Sequence, residues 1–431
     1  MGAVAILCEN LPAELSEEVT YIQVADTARA MGRMASNFYD NPSSKLKLVG
    51  VTGTNGKTSS VTLLFKLFRQ LGYHTGLLST VQNQIDEEVI PSTHTTPDSV
   101  KINELLAEML RRGCTHCFME VSSHAIHQQR IAGLRFAGAA FTNITHDHLD
   151  YHKDMDDYFA AKMRLFDEVV ADDGTAVVWM DDAWSARAVD HVQRRGIRLL
   201  GVGQGADVDG IRLLSRTPGQ LGQELEIEFA GQVRKLNLPL IGAYQAANAL
   251  VSAGLVLATG GEAAQVFDAL TRLQPVRGRL ERAAISRSGA PVYVDYAHTP
   301  DALEAAIAAL RPHCAGRLIV VFGAGGDRDA GKRGPMGTVV AQQADLGIVT
   351  DDNPRGEDPA SIRSQVMAGG AGLREVADRR SAIAAAIAEA GSQDIVLVAG
   401  KGHEQGQIIG AGETCRVLPF DDVAVARECA A

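Results

Sequence analysis

The sequence predicts an α/β protein built on mostly parallel sheets, and three observations predict it. Short apolar runs alternate with amphipathic segments along the chain, at 75–79, 117–121, 137–141 and 176–180, then at 292–295, 318–322, 346–350 and 395–399. Strands buried on both faces read as continuous apolar runs, and the segments between them read as the helices that cover those faces. Composition agrees: 43 glycines, 46% hydrophobic residues and only 5% aromatic ones suit many tight strand-to-helix turns. The third observation is GVTGTNGKTSS at 50–60, which follows an apolar strand at 47–51 and precedes an apolar helix of about 59–71.

That loop predicts a nucleoside triphosphate site. Gly53 and Gly56, with Thr54 and Asn55 between them, let the backbone turn tightly and point its N–H groups inward. Lys57 adds a charge for the terminal phosphates, and the Thr58 hydroxyl can ligate magnesium. The following helix would aim its positive N-terminal end at the same phosphates. The pattern is a variant, because the strict spacing wants glycine where Val51 stands. Further on, Glu120 ends an apolar strand, where open α/β sheets place their ligands, and its carboxylate would face the phosphate loop as a magnesium ligand. Taken alone, such a glutamate reads more plainly as a solvated cap. The next strand runs into TNITHDHLDYH at 142–152, a density of His and Asp that points as readily to metal or phosphate work as to structure.

Between about 208 and 238 the pattern becomes shorter and polar-alternating, which predicts hairpins before the helix that starts near Gly242. The apolar stretch 240–258 carries Gln245 and Asn248, so it reads as a buried helix and not as a membrane span. A composition break at 273–279 ends an Ala-rich helical region and opens a new strand series, which places a domain boundary there. The net charge of −11 argues against nucleic-acid binding through a general positive field. Six cysteines are too sparse for a disulfide framework in 431 residues and fit a reducing cytoplasm. Cys114 and Cys117 form a lone CxxC with no second pair to complete a zinc site. No basic residue precedes the short apolar run 3–8, which argues against a signal peptide.

GTNGKT, EVSSHAIHQQR, TNITHDHLDYH, AAKMRLF, DYAHTPDALE, GAGGDRDAGKRGPMG, DDNPR and GKGHE follow one another in this order. In these motifs the chain resembles the Mur ligases, most closely those that add meso-diaminopimelate to UDP-N-acetylmuramoyl-L-alanyl-D-glutamate in peptidoglycan precursor synthesis. The resemblance implies a P-loop central domain with a mostly parallel sheet at 45–273, and a C-terminal Rossmann-like α/β domain at 274–431 that binds the incoming amino acid. Residues 1–44 look like the last strand and helix of the family's UDP-binding N-terminal domain. The family's early uridine-contacting serine has no counterpart, so the chain as written is expected to bind ATP better than the UDP-linked substrate and to expose an apolar edge near 3–8.

The resemblance also implies an ATP-dependent amide-bond ligase that works through an acyl phosphate. Its catalytic residues would be Lys57, Glu120, His148 and Lys162. Thr58, Glu120, His148 and Lys162, the last as a carbamate, would hold magnesium. ATP would contact Gly53, Thr54, Asn55, Gly56, Lys57, Thr58, Asn248, Arg279 and Asp295. The UDP substrate would contact Thr95, Thr96, Ser122, Gln128 and Arg130, although His94 stands where close relatives carry asparagine. Diaminopimelate would contact Arg328, Asp352, Asn353, Pro354, Arg355, Gly400 and Glu404. Arg355 is the informative member, since the distal carboxylate of diaminopimelate needs a cation that would repel the ammonium of lysine. Within 323–328 the third glycine of a dinucleotide fingerprint is replaced by Arg328, which argues against an NAD site. The expected partners are small-molecule substrates bound by a cytoplasmic monomer, with no nucleic acid and no membrane span. Two alternatives stay open: a related ligase of L-lysine or folylpolyglutamate type, and a non-catalytic nucleotide-binding remnant.

Overall fold

A computed structural model describes every residue except 1, 2, 93, 146, 150, 206 and 207. His146 and Asp150 of the His/Asp-rich segment therefore lie outside the described residues. By packing, the chain forms two compact units, one of Met1–Leu214, Ile227–Arg234 and Ala247–Leu270, the other of Ser215–Glu226, Lys235–Ala246 and Thr271–Ala431.

The first unit opens with β1 (Ala5–Cys8), β2 (Thr20–Gln23) and α1 (Thr27–Phe38). β1 and β2 pair in parallel, so the segment holds two strands where one was expected. Gly32, Ala35 and Ser36 are the buried face of α1, while Met31, Met34 and Phe38 of the same helix are exposed, as are Val4, Ile6 and Ile22.

The chain continues through β3 (Lys47–Thr52), α2 (Lys57–Gln70), β4 (Thr75–Leu78), β5 (Asn83–Ile85), β6 (Glu88–Ile90), α3 (Ser99–Arg111), β7 (His116–Glu120), α4 (Ser123–His127) and β8 (Phe136–Phe141). After these come α5 (Met155–Glu168), β9 (Val170–Trp179), α6 (Ser185–Arg195) and β10 (Arg198–Gly203). The long hairpin strands β11 (Gly210–Gly219), β12 (Gly222–Phe229) and β13 (Gln232–Leu238) follow, then α7 (Ala243–Ala258) and α8 (Ala263–Leu270). Among the described residues these strands form one eleven-stranded sheet in the order β13-β12-β11-β10-β9-β8-β3-β7-β4-β5-β6. Its centre is parallel, and β5 and β6 add an antiparallel edge. β3 is buried from Leu48 onward because it lies between β7 and β8 with helices on both faces, which is why it reads as an unbroken apolar run. The register sets Val51 beside both Glu120 and Ala140, so the loops leaving β3, β7 and β8 emerge along one edge.

The second unit is built on β14 (Glu281–Ile285), β15 (Pro291–Asp295), α9 (Pro300–Leu310), β16 (Leu318–Phe322), α10 (Arg333–Gln343), β17 (Leu346–Val349), α11 (Pro359–Met367), β18 (Arg374–Glu375), α12 (Arg379–Glu389), β19 (Ile395–Ala399) and α13 (Asp422–Ala430). The sheet order is β14-β15-β19-β16-β17-β18, antiparallel only at β14. Along β16, Leu318, Val320 and Phe322 enter one core with Leu303, Ile307, Met336 and Ile362, while Ile319 and Val321 enter another with Ile383, Val423 and Ala426. The alternation is the two-residue period of a strand covered by helices on both faces. β15, β16, β17 and β19 all end on the same side, at Asp295, Phe322, Val349 and Ala399, where such sheets hold ligands.

Among the described residues no helix is long and apolar enough to cross a membrane. All six cysteines are unpaired.

Candidate active site

The turn between β3 and α2 is closed by the segment that follows β8. Gly53 and Gly56 take φ values of +151° and +88°, and a Cβ on Gly53 would sit 1.9 Å from the Thr142 hydroxyl oxygen. Only glycine fits that approach. Thr142 Oγ1 donates to the Asn55 carbonyl (2.7 Å), the Thr54 N–H to the Asn143 carbonyl (2.9 Å) and the Asn55 N–H to Asn143 Oδ1 (2.9 Å). Lys57 Nζ donates to the carbonyls of Gly53 (3.0 Å) and Thr54 (2.8 Å). On the far side of the turn a Cβ on Gly56 would lie 2.4 Å from Asn248 Oδ1, so the side chain from α7 borders the loop.

Glu120 is the hub of this site. Its Oε2 accepts the Thr58 hydroxyl (2.9 Å), its Oε1 accepts the Thr80 N–H (2.7 Å), and its carbonyl accepts the Thr96 hydroxyl (2.8 Å). Only 1% of the residue is exposed. Burial pushes the carboxyl pKa up, and the Lys57 charge and the Thr80 N–H work against that rise. A hydroxyl and a buried carboxylate side by side form a set of hard oxygen donors, which fits magnesium.

Lys162 projects from α5 to the same turn. Its ammonium donates to the Gly53 carbonyl (2.8 Å), lies 4.2 Å from the centre of the Tyr158 ring and is buried. Burial and the neighbouring Lys57 charge hold its pKa well below the usual lysine range. His148, held at φ +54°, meets Tyr158 edge to face with ring centres 6.0 Å apart. Among the described residues no three His, Cys, Asp or Glu side chains converge as a metal centre. An amine whose pKa is depressed by burial is the kind that reacts with CO₂.

The five residues expected at the UDP substrate are joined to Glu120 by hydrogen bonds that run through Thr96 and Thr80. Ser122 N donates to Thr96 Oγ1 (3.3 Å), and Thr80 Oγ1 donates to Thr95 Oγ1 (3.1 Å). Arg130 donates through Nη1 to the Thr96 carbonyl (2.8 Å) and through Nε and Nη2 to Gln128 Oε1 (3.0 and 2.7 Å). The Ser122 hydroxyl caps α4 by accepting the Ala125 N–H.

In the second unit, Asp295 accepts the N–H groups of Leu280 (2.7 Å) and Ala297 (2.9 Å), and Arg279 stacks over Tyr296 at 5.0 Å. Burial raises the Asp295 pKa. Arg328 and Arg355 both come close to Gly325: a Cβ there would meet Arg355 Nη1 at 2.8 Å and Arg328 Cγ at 4.0 Å. Asn353 is buried, with its amide donating to Glu404 Oε2 (2.9 Å) and its Oδ1 accepting from Lys401 Nζ (2.7 Å) and the Ile408 N–H (2.9 Å). Asn353 thus aims Glu404. Gly400 sits at φ +120°, where a Cβ would come within 2.6 Å of Asp352 Oδ2, a buried oxygen with no hydrogen-bond partner among the described residues. That orphan acceptor suits a substrate ammonium.

Several residues that shape the site escaped the sequence reading. Thr80 holds Glu120 through its backbone N–H, which no side-chain pattern reveals. Asn143, Tyr158 and Lys401 lie inside or beside the motifs but act on other side chains and on loop backbone. Their signal was motif membership alone.

Residues 51–256 match the Mur ligase middle domain family and residues 278–402 the Mur ligase glutamate ligase domain family. The chain is 50% identical over 427 residues to a UDP-N-acetylmuramoyl-L-alanyl-D-glutamate–2,6-diaminopimelate ligase of Zymomonas mobilis, covering 99% of this chain and 87% of that protein. It is 46% identical to the ligase of the same name from Caulobacter vibrioides, over 98% and 86% of the two chains. A solved structure of a ligase with this name superposes with a TM-score of 0.75 at 29% identity, over 99% of this chain and 86% of the other. A Mycobacterium tuberculosis folylpolyglutamate synthase shares the fold, with a TM-score of 0.68 at 20% identity over 88% and 93% of the two chains.

Proposed function

Because the chain belongs to the Mur ligase family, we propose that it is the ATP-dependent ligase that adds meso-diaminopimelate to UDP-N-acetylmuramoyl-L-alanyl-D-glutamate in peptidoglycan precursor synthesis. In that reaction the D-glutamate carboxylate takes the γ-phosphoryl group of ATP, giving an acyl phosphate and ADP. The diaminopimelate amine then attacks the acyl carbon, a C–N bond forms, inorganic phosphate leaves with the C–O bonding pair, and the amine sheds a proton. Two anions must meet in the first step and a neutral amine must be aligned in the second, so charge neutralisation and positioning are the protein's main tasks.

The contacts described above support the following residue roles. Lys57 and the loop 53–56 cradle the β- and γ-phosphates, and Asn248, Arg279 and Asp295 hold the rest of ATP. Thr58 and Glu120 would hold one magnesium ion, and His148 with carbamylated Lys162 a second. Magnesium, when bound, offsets phosphate charge and keeps the γ-phosphoryl group aligned. Thr95, Thr96, Ser122, Gln128 and Arg130 grip the UDP substrate. Residues 1–44 belong to the uridine-binding region, 45–273 to the ATP domain and 274–431 to the amino-acid domain. Every assigned role falls within one chain, so a monomer acting on small molecules suffices. ATP dependence and unpaired cysteines fit the cytoplasm.

The observation that carries the choice of amino acid is that the Arg328 and Arg355 side chains both come close to Gly325. Two guanidinium groups suit the distal carboxylate of diaminopimelate, while lysine offers only a repelled ammonium there. Phosphate release measured with each substrate omitted in turn tests this reading. Release that needs ATP, the UDP-dipeptide and diaminopimelate together supports it, and release indifferent to the amino acid contradicts it.

A further inference from the structure

We propose that the ion pair between buried Arg333 and partly exposed Glu357 is the positioning device of the amino-acid site, locking the loop that carries Arg328 to the loop that carries Arg355. This rests on the assignment of those two arginines to diaminopimelate.

The two loops follow β16 and β17, and each contains a non-glycine residue in the left-handed region. Asp327, next to Arg328, has φ +51°, and Arg355 itself has φ +51°. Such conformations persist only where the surroundings over-determine them. Here the loops also meet through their backbones. The Gly326 N–H donates to the Asn353 carbonyl (2.9 Å), Arg355 Nη1 donates to the Gly326 carbonyl (2.9 Å), and a Cβ on Gly326 would lie 1.9 Å from the Pro354 carbonyl oxygen.

Arg333 opens α10 and is 1% exposed. Its guanidinium grips Glu357 with both arms, Nη1 to Oε2 at 2.9 Å and Nη2 to Oε1 at 2.7 Å. Nη2 also reaches the Gly325 carbonyl at 3.2 Å. Glu357 Oε1 in turn accepts the N–H of Asp327 at 2.6 Å, and Asp327 Oδ2 accepts the N–H of Gly356 at 2.9 Å. The network therefore grips one strained residue directly and the neighbour of the other. Arg333 and the Asp327 N–H also hold the Glu357 carboxyl below the usual carboxylate range, so the clasp stays ionised. Glu357 faces loop backbone and Arg333, and its effect on catalysis runs through Arg328 and Arg355.

The test is steady-state kinetics of Glu357→Gln, which keeps the shape of the side chain but loses one of the two acceptors, with Arg333→Lys as the conservative partner. The expected result is a KM for diaminopimelate raised about 10- to 100-fold, weaker preference over L-lysine, and KM values for ATP and the UDP-dipeptide within about twofold of wild type. Arg333→Lys, still charged but single-pronged, should fall between. Should all three KM values and the melting temperature move together in both variants, the pair is ordinary fold stabilisation and the proposal is wrong. Arg355→Ala separates the premises. If it leaves the diaminopimelate KM unchanged, the site assignment fails. If it raises that KM while Glu357→Gln and Arg333→Lys do not, the positioning role alone fails.

Discussion

Thr58 and Glu120 stand 62 residues apart in sequence, yet the Thr58 hydroxyl donates to Glu120 Oε2 across 2.9 Å. The parallel pairing of β3 with β7 brings the phosphate loop and a strand-end carboxylate to one edge of the sheet. Glu120 also ties that loop to Thr80 and Thr96, and so links the nucleotide end of the site to the residues proposed for the UDP substrate.

Glu120→Gln should separate stability from function. Burial raises the folded-state pKa of this carboxyl above its ordinary 4.5. A raised carboxyl pKa means that folding favours the protonated form, so stability is lost as pH rises through the folded pKa, and neutral pH carries the cost. The glutamine variant should melt higher than wild type at pH 8 without nucleotide, and ligase turnover should fall roughly 100-fold or more. A melting temperature that drops would mean that the charge is paid back locally by its hydrogen bonds.

Lys162 should make the enzyme sensitive to CO₂. The amine is buried, its pKa is held well below the lysine range, and only the neutral amine forms a carbamate. Degassed, bicarbonate-free enzyme should lose activity and regain it on adding bicarbonate. The regain should weaken as pH falls and the amine protonates. Lys162→Arg should be inactive with or without bicarbonate. Unchanged turnover after CO₂ removal would argue for an unmodified lysine.

His116 predicts an acid limit to stability. Its imidazole is packed against Phe68 and Phe118, and burial with the nearby Lys47 charge pushes its pKa down from 6.5 to about 4. The unfolded chain therefore binds a proton that the folded one refuses between those two values. Stability conferred by the neutral ring is complete above about pH 6.5 and is lost as pH falls toward 4, roughly 3 kcal/mol in total. Urea midpoints measured across that window for wild type and His116→Asn should converge at the acid end.

The buried pair Arg379–Asp422 joins α12 to α13, with Nε to Oδ1 at 2.8 Å and Nη2 to Oδ2 at 2.7 Å. Both side chains are at most 1% exposed. Asp422→Ala strands a buried guanidinium and should cost about 3–5 kcal/mol in chemical denaturation. A loss below about 1 kcal/mol would show that Arg379 finds other partners.

The strand series and the phosphate loop were legible because their signals are local. Continuous apolar runs mark buried parallel strands, and Gly53 and Gly56 mark a turn that only glycine can make. The short edge strands β5 and β6, and β2 near the N-terminus, were not legible, since three- and four-residue strands with mixed polarity carry no period. Within the site, motif residues could be named but not their division of labour. Asn353 was read as a substrate contact, and its buried amide is occupied by Lys401, Glu404 and the Ile408 N–H. Arg333 and Glu357 act by holding other loops, a role that exists only in three dimensions.

The most direct measurement is a competition. The protein is given ATP, UDP-N-acetylmuramoyl-L-alanyl-D-glutamate and equal concentrations of meso-diaminopimelate and L-lysine, and the nucleotide-linked products are weighed by mass spectrometry. The account predicts the diaminopimelate tripeptide in at least about 100-fold excess, the discrimination expected when a cationic site meets the wrong charge. A lysine product in comparable amount would contradict the reading of Arg328 and Arg355 as the carboxylate-binding pair.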